Sequence, residues 1–290
     1  MMVFLQSVLS GILVGGVYAL IGIGLTIIFG VMRVINFAHG DLLMLGMYAT
    51  WAIFTVSSGA IDPYVSILIS APLLFLWGAL LQKTFINRVL GALPQNQILL
   101  TIGLGLVMSN TVMLAFTSDY RILTTSYSSS SFMLGELSVS QPLLYSFLIT
   151  AAITGALAWF LLKTDTGQAI RATAQDRDAA QLMGINVRWM SVLAFGIGAA
   201  LAATAGALIS PTYYIFPQVG SAFTLKAFVI VVLGGMGSIV GATLGGLLVG
   251  VTESLAAIYV ASGLKELVVF VIFLGILLFK PSGLMGKSRA

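Results

Sequence analysis

Apolar runs follow one another from Phe4 to Phe279 with almost no charge inside them, and this pattern constrains the chain more than any motif does. Crossing a bilayer takes about 20 mostly apolar residues at roughly 1.5 Å of helix rise each. The runs fall at Phe4–Phe29, Leu42–Val56, Tyr64–Leu81, Gln97–Thr117, Pro142–Leu162, Met190–Ile209, Phe223–Leu233, Ala242–Val260 and Leu267–Phe279, with a glycine-rich break at Gly234–Gly241. Only 8% of the 290 residues are charged and 59% are hydrophobic, whereas a soluble domain carries about 25% charge. Too little polar surface exists to cover a water-soluble core. The length accommodates about eight or nine crossings, so residues 1–290 are expected to form one transmembrane domain. A β-barrel would need segments of roughly ten residues with alternating polarity, and the runs do not alternate. The expected fold is an all-α, polytopic transmembrane helical bundle with one discontinuous segment.

Cysteine is absent, which excludes disulfides, thiolate metal sites and cysteine nucleophiles. His39 is the single histidine, so no multi-histidine metal cluster is expected either. The net charge of +4 does not point to nucleic acid, because the basic residues sit between the apolar runs, where they report topology. The first of them is Arg33, so the start lacks the basic flank of a signal peptide and should persist as a helix. With the N-terminus outside and an odd number of crossings, the inner connections hold Arg33, Lys83, Arg88, Lys163, Arg171, Arg177, Arg188, Lys280, Lys287 and Arg289. That is ten of the thirteen Lys and Arg residues. The positive-inside rule therefore predicts a multi-pass protein of the bacterial inner membrane with a periplasmic N-terminus and a cytoplasmic C-terminus.

Two connections exceed turns. Ser118–Gln141, containing the polar stretch Thr124–Ser131, reads as an irregular external loop. Lys163–Arg188 lies inside and reads as a charged amphipathic helix: Thr164 or Asp165 can cap its start, and Gly184 with Asn186 can end it.

Glycines spaced by four recur at Gly11 and Gly15, at Gly237, Gly241 and Gly245, and at Gly246 and Gly250. Small residues at this spacing let helix backbones approach closely. The density around Gly234, Gly235, Gly237 and Gly241 also fits a discontinuous helix along a transport path, tolerated where protein or a water-filled cavity satisfies the freed backbone. Lys226 and Glu253 fall in or at the edge of late spans, where a central charge costs at least about 2.5–3.5 kcal/mol. They could pair with each other or line a polar pathway; snorkelling to the external surface is the favoured reading for Lys226, and interior polar packing for Glu253. Arg33, Asn36, His39 and Asp41 lie between the first two runs and read as an inner turn that braces helix ends or acts as a gate. Pro281–Ser288 ends in GKS like a phosphate loop, but proline replaces the first glycine and no strand precedes it. Gly196-x-Gly198 likewise lacks the strand–turn–helix setting of a dinucleotide site. No nucleotide or other cofactor is expected on this chain.

Three passages resemble the bacterial high-affinity branched-chain amino acid ABC transporter permeases of the LivH type. They are Gly16–Leu20 with Gly24–Met44, which includes Asn-Phe-Ala-His-Gly-Asp41; Gly167–Asn186; and Lys226–Gly241 with Pro281–Leu284. Val240 stands where the family commonly has proline. The resemblance implies a second homologous permease subunit, two cytoplasmic ATP-binding subunits, and a periplasmic substrate-binding protein delivering leucine, isoleucine or valine. It places the coupling loop on 163–188, with Arg171, Gln175, Asp176, Ala180 and Gly184 as candidate contacts to the ATPase. It also makes the chain a transport subunit rather than an enzyme. Rival readings are an ion-coupled secondary transporter, for which Glu253 is a weak candidate carboxylate, an intramembrane enzyme, whose clustered catalytic groups are not found, and a scaffold subunit. Other amino acids, amides or urea remain open as cargo.

Overall fold

The computed structural model describes residues 1–280 and 282–286. Pro281 and Lys287–Ala290, including the GKS of the phosphate-loop look-alike, lie outside the described residues. Helices dominate because a chain in lipid must satisfy its backbone polar groups internally. In order they are α1 (Met2–Met32), α2 (His39–Val56), α3 (Ile67–Thr84), α4 (Pro94–Phe116), α5 (Gln141–Lys163), α6 (Asp165–Gln175), α7 (Arg177–Leu182), α8 (Val187–Ile209), α9 (Val219–Gly234), α10 (Ile239–Tyr259) and α11 (Lys265–Phe279). Seven helical segments, containing α1, α3, α4, α5, α8, α10 and α11, are long and apolar enough to cross a membrane. Helix α2 (18 residues) and the shorter α9 (16 residues) complete the polytopic bundle.

Helices α1 and α8 form its buried centre, while α11 is mostly exposed on the periphery. The spaced glycines explain the close packing. Gly11 and Gly15 of α1 lie against Gly250 and Gly246 of α10, with the two helices antiparallel. A Cβ on Gly11 would lie 2.6 Å from Val251 Cα, and one on Gly15 would lie 2.9 Å from Leu247 Cα. Gly198 of α8 likewise meets Gly24 of α1. The packing reading of these glycines therefore holds. Gly11→Leu should destabilise the protein by about 1–3 kcal/mol through overpacking, read as a lower melting temperature in detergent. An unchanged melting temperature would show that α1 and α10 do not pack this closely.

For orientation, the near end is where α1 starts and the far end is where it finishes. After α1 the chain does not make a simple turn at the far end. Arg33 closes α1 there with a left-handed backbone (φ 54°) and is exposed, but Val34, Asn36, Ala38 and His39 are buried. His39 Nε2 lies 3.0 Å from the Ile21 carbonyl oxygen. Ile21 stands about 16 Å back along α1 from Met32 at 1.5 Å per residue. The segment after Arg33 thus climbs back into the bundle, and α2 begins beside the middle of α1. Hydroxyls from distant helices satisfy its backbone. Thr101 Oγ1 accepts from Phe37 N–H at 3.2 Å and lies 3.3 Å from Ile35 O; Thr224 Oγ1 accepts from Gly40 N–H at 3.0 Å and lies 3.2 Å from Phe37 O. Arg33 ends α1, Asn36 braces the turn and Asp41 lies in the first turn of α2, as the bracing reading expects. The segment after Arg33 nevertheless turns back into the bundle, which Thr101 and Thr224 make possible.

The glycine-rich break takes the form of a hairpin turn. Gly234 meets Gly241, and Gly245 meets the Ile230 carbonyl, so α9 and α10 run antiparallel as two separate helices. Gly235 and Gly237 adopt φ of 96° and 91°, a region that glycine enters without strain. Val240 falls in the first turn of α10, with Ser238 accepting from Gly241 N–H as its cap.

The 118–141 connection is more ordered than expected. Within it, β1 (Ser131–Leu134) and β2 (Leu137–Ser140) form an antiparallel hairpin. Gln6 of α1 clamps β2 by exchanging two hydrogen bonds with the Ser138 backbone at 2.6 and 3.0 Å. Four-residue strands are too short to reveal a period-two pattern. Nearby, Tyr127 stacks on Tyr64 and donates to Asp62 Oδ2 at 2.7 Å. Burial and this carboxylate together push the Tyr127 hydroxyl well above its ordinary pKa.

Candidate functional site

Three of the sequence-predicted elements meet at the far end. The polar 163–188 segment forms two short helices instead of one. Thr164 Oγ1 accepts from Gly167 N–H and caps α6, while Asp176 Oδ1 accepts from Asp178 and Ala179 N–H, both at 3.0 Å, and caps α7. The aspartate cap breaks the helix because its side chain competes for the backbone donors. Gly184 ends the element with φ 83°, and Asn186 caps α8. Gly167 packs against Phe160 and Leu161, which seats α6 on the end of α5.

From this anchored position, Ala174 and Gln175 of α6 face Arg33 and Gly30 of α1 and Gly237 of the hairpin turn across a cavity of about 870 Å³. Ser282, Met285 and Gly286 complete its wall. The C-terminal segment is held there by Leu284 N–H donating to Leu233 O at 2.7 Å and Met285 N–H donating to Gly234 O at 3.0 Å, so it caps the end of α9. Arg171, Gln175, Asp176 and Gly184 are exposed, as a partner contact requires. Ala180 is buried at 4% exposure and packs within its own chain, so it presents no contact surface, which corrects its place among the candidate contacts. Leu182 and Met183, which sequence reasoning passed over, are 88% and 82% exposed beside Gly184. Adjacent bare apolar side chains on a polar element were the signal available.

A second group lies toward the near end. Lys226 Nζ donates to both Glu253 oxygens at 3.0 Å and to Tyr18 Oη at 3.1 Å. Lys265 Nζ reaches Glu253 Oε1 at 2.8 Å, and Glu266 stands 3.8 Å from Lys226. The lysine is 7% exposed, so the snorkelling reading is corrected: Glu253, presented by the antiparallel α10, offers it a nearer counter-charge than the surface does. Pairing with Glu253 was the alternative left open, and it is what forms. Tyr18, 208 residues from Lys226, and Lys265 and Glu266 on α11 were missed because no sequence spacing relates side chains on different helices. A cavity of about 280 Å³ opens beside the group, lined by Tyr18, Glu253 and Lys265 and by apolar residues of α1, α5 and α8.

The remaining candidate is Asp41, in the first turn of α2. It lies against Gly105, midway along α4, and against Gly220 in the first turn of α9. It is therefore partly buried between α2, α4 and α9, with no ion pair to Arg33 among the described residues. His39 is fully buried against α1. Asn36 Oδ1 accepts from Ala38 N–H at 3.1 Å and turns the chain toward α2. Among the described residues, no group of three or more His, Cys, Asp or Glu side chains could hold a metal ion.

Comparison with known proteins places this geometry in a family. The chain is 33% identical to the high-affinity branched-chain amino acid transport system permease protein BraD of Pseudomonas aeruginosa, over 99% of this chain and 97% of that protein. It is 30% identical to the corresponding permease protein LivH of Escherichia coli, over 99% and 96%. It is also 29% identical to the autoinducer 2 import system permease protein LsrC of Yersinia pestis, over 49% and 44%. The family model described as branched-chain amino acid transport system / permease component matches residues 7–278. A polytopic helical bundle that matches this family along nearly its whole length is one of its members: the chain belongs to the branched-chain amino acid transport system permease component family.

Proposed function

We propose that this chain is the membrane subunit of an ABC importer and translocates leucine, isoleucine or valine across a bacterial inner membrane. It pairs with a second homologous permease, is driven by two cytoplasmic ATP-binding subunits, and receives substrate from a periplasmic binding protein. ATP is bound and hydrolysed on those partners, and this chain performs no catalysis. The observation that carries the reading is the far-end assembly. A short two-helix element exposes Leu182, Met183, Arg171 and Asp176, while Ala174 and Gln175 face the end of α1 and the α9–α10 turn. A motor gripping that element would transmit its movement directly to two helix ends. Docking a short helix into a partner groove and moving it as a rigid body requires no other device.

Reconstituted with its partners, the protein should import leucine in the presence of ATP after an uncoupler has collapsed ion gradients. Loss of uptake with the gradient would instead indicate an ion-coupled carrier. The similarity of half the chain to an autoinducer 2 permease makes other cargo the alternative outcome of a competition panel. Leu182→Glu with Met183→Glu should reduce coupled ATP hydrolysis about tenfold or more, since a few apolar anchors dominate such contacts. Both side chains are exposed, so the melting temperature of the permease should hold steady. Unaltered hydrolysis by the double variant would rule out this docking surface.

The far end faces the cytosol in this reading and the 131–140 hairpin faces the periplasm. Because the chain has no cysteine, single cysteines report cleanly. Ser128→Cys should react with an impermeant maleimide in intact cells, and Gln175→Cys only after permeabilisation. The reverse pattern would invert the topology.

A further inference from the structure

A cavity of about 370 Å³ lies where α2, α4 and α9 meet, lined by Phe37, Asp41, Ile102, Leu106, Gln218 and Ser221 among others. Its size falls within the range of small-molecule sites. Asp41 is the only charged residue in its wall. Among the described residues no cation lies within ion-pair distance of that carboxylate. This contrasts with Glu253, whose charge is matched by two lysines. A carboxylate within a membrane bundle is costly, and its default reading is a site awaiting a counter-charge.

The neighbouring polar groups have the matching sense. Ser109, Ser221 and Thr224 donate their hydroxyl hydrogens to the carbonyls of Leu106, Gln218 and Gly220, at 3.3, 2.9 and 3.1 Å. Ser109 and Ser221 leave oxygen lone pairs for the cavity, so this part of the wall accepts hydrogen bonds, while the Thr224 oxygen is engaged by Gly40 N–H. The Gln218 amide nitrogen has only the Met113 sulfur near it, at 3.5 Å, and remains able to donate to an anionic oxygen. Phe37, Ile102, Leu106 and Leu225 supply apolar surface. Ser221 and Gln218 are exposed on this side of the bundle, beside the exposed Ile102, Leu106 and Leu225.

We propose that this cavity is a way-station for the transported amino acid, with Asp41 receiving its α-ammonium group, the Gln218 amide its carboxylate, and the apolar wall its side chain. The assignment rests on the importer reading and names the residues that recognise the cargo in transit. It requires both the ammonium and a branched apolar side chain, so an analogue lacking the amino group should not compete.

The full importer in proteoliposomes, with its binding protein and ATPases, provides the test. Asp41→Asn should reduce ATP-driven L-leucine uptake about tenfold to a hundredfold, the effect of losing a charged hydrogen bond. Asp41→Glu should recover part of the uptake. Independently of any change at Asp41, Ile102→Cys on the cavity wall should react with a small maleimide more slowly in millimolar L-leucine. 4-Methylpentanoate, which lacks the amino group, should not slow it. Unchanged uptake by a folded Asp41→Asn importer would overturn the proposal. Equal protection by the two compounds, or protection by neither, would do the same even if Asp41→Asn fails to assemble. Absence of ATP-driven uptake by the unaltered importer would instead count against the importer reading itself.

Discussion

Glu253→Leu is expected to destabilise the permease by about 3–5 kcal/mol, the usual consequence of removing one member of a buried ion pair. The reason lies in what remains. Lys226 and Lys265 both rely on Glu253, at 3.0 and 2.8 Å, and without it two ammonium groups would face each other in a mostly apolar setting. Glu266 is too far from Lys226, and too exposed, to replace it. The double variant Glu253→Leu with Lys226→Met should recover much of the loss, since an apolar pair of similar volume is often as stable as the ions it replaces. Melting curves of the purified protein in detergent would measure both. A single variant as stable as the parent, or a double variant worse than the single, would show that this network does not hold α9 to α10.

The second large effect is expected at Gly40. Its amide hydrogen bonds to Thr224 Oγ1, and a Cβ there would collide with the Gly220 carbonyl oxygen and with that same hydroxyl. Gly40→Val should force the start of α2 away from α9 and break the threonine bridge to Phe37 and Gly40. Overpacking and the loss of buried backbone hydrogen bonds together should cost on the order of 3 kcal/mol or more. Gly103→Val is the matched control, because a Cβ at Gly103 meets nothing within 4 Å. Yield of assembled protein on size exclusion, with its melting temperature, distinguishes the two. Equal behaviour of the two variants would refute the close approach of α2 and α9.

Much of the fold was legible in the sequence because lipid imposes one-dimensional rules. An apolar run of sufficient length must be helical, and glycines four apart mark where helices touch. Gly11, Gly15, Gly246 and Gly250 could be recognised as packing residues, although their pairing with one another could not. The polar interval at 163–188 was conspicuous against so apolar a background, whereas its division at Asp176 was not, since an aspartate in a helical pattern can be either a surface residue or a cap. Arg33 was correctly placed at a helix end. Asp41, eight residues later, is placed near the start of the second helix, where it lies, but nothing local signals that the chain re-enters the bundle on the way.

Sequence alone therefore determined the membrane-spanning character, the helical class, the family resemblance and the position of the polar two-helix element. Each of these follows from local composition, spacing or ordered motifs. Only the tertiary structure decided that Lys226 is paired, that Asn36–Asp41 lie inside the bundle, and that Asp41 faces a cavity without a counter-charge. The first two share a physical reason. A buried charge or an unpaired backbone group is tolerated only with a partner, and here the partners Glu253, Thr101 and Thr224 stand 27, 64 and 184 residues away along the chain.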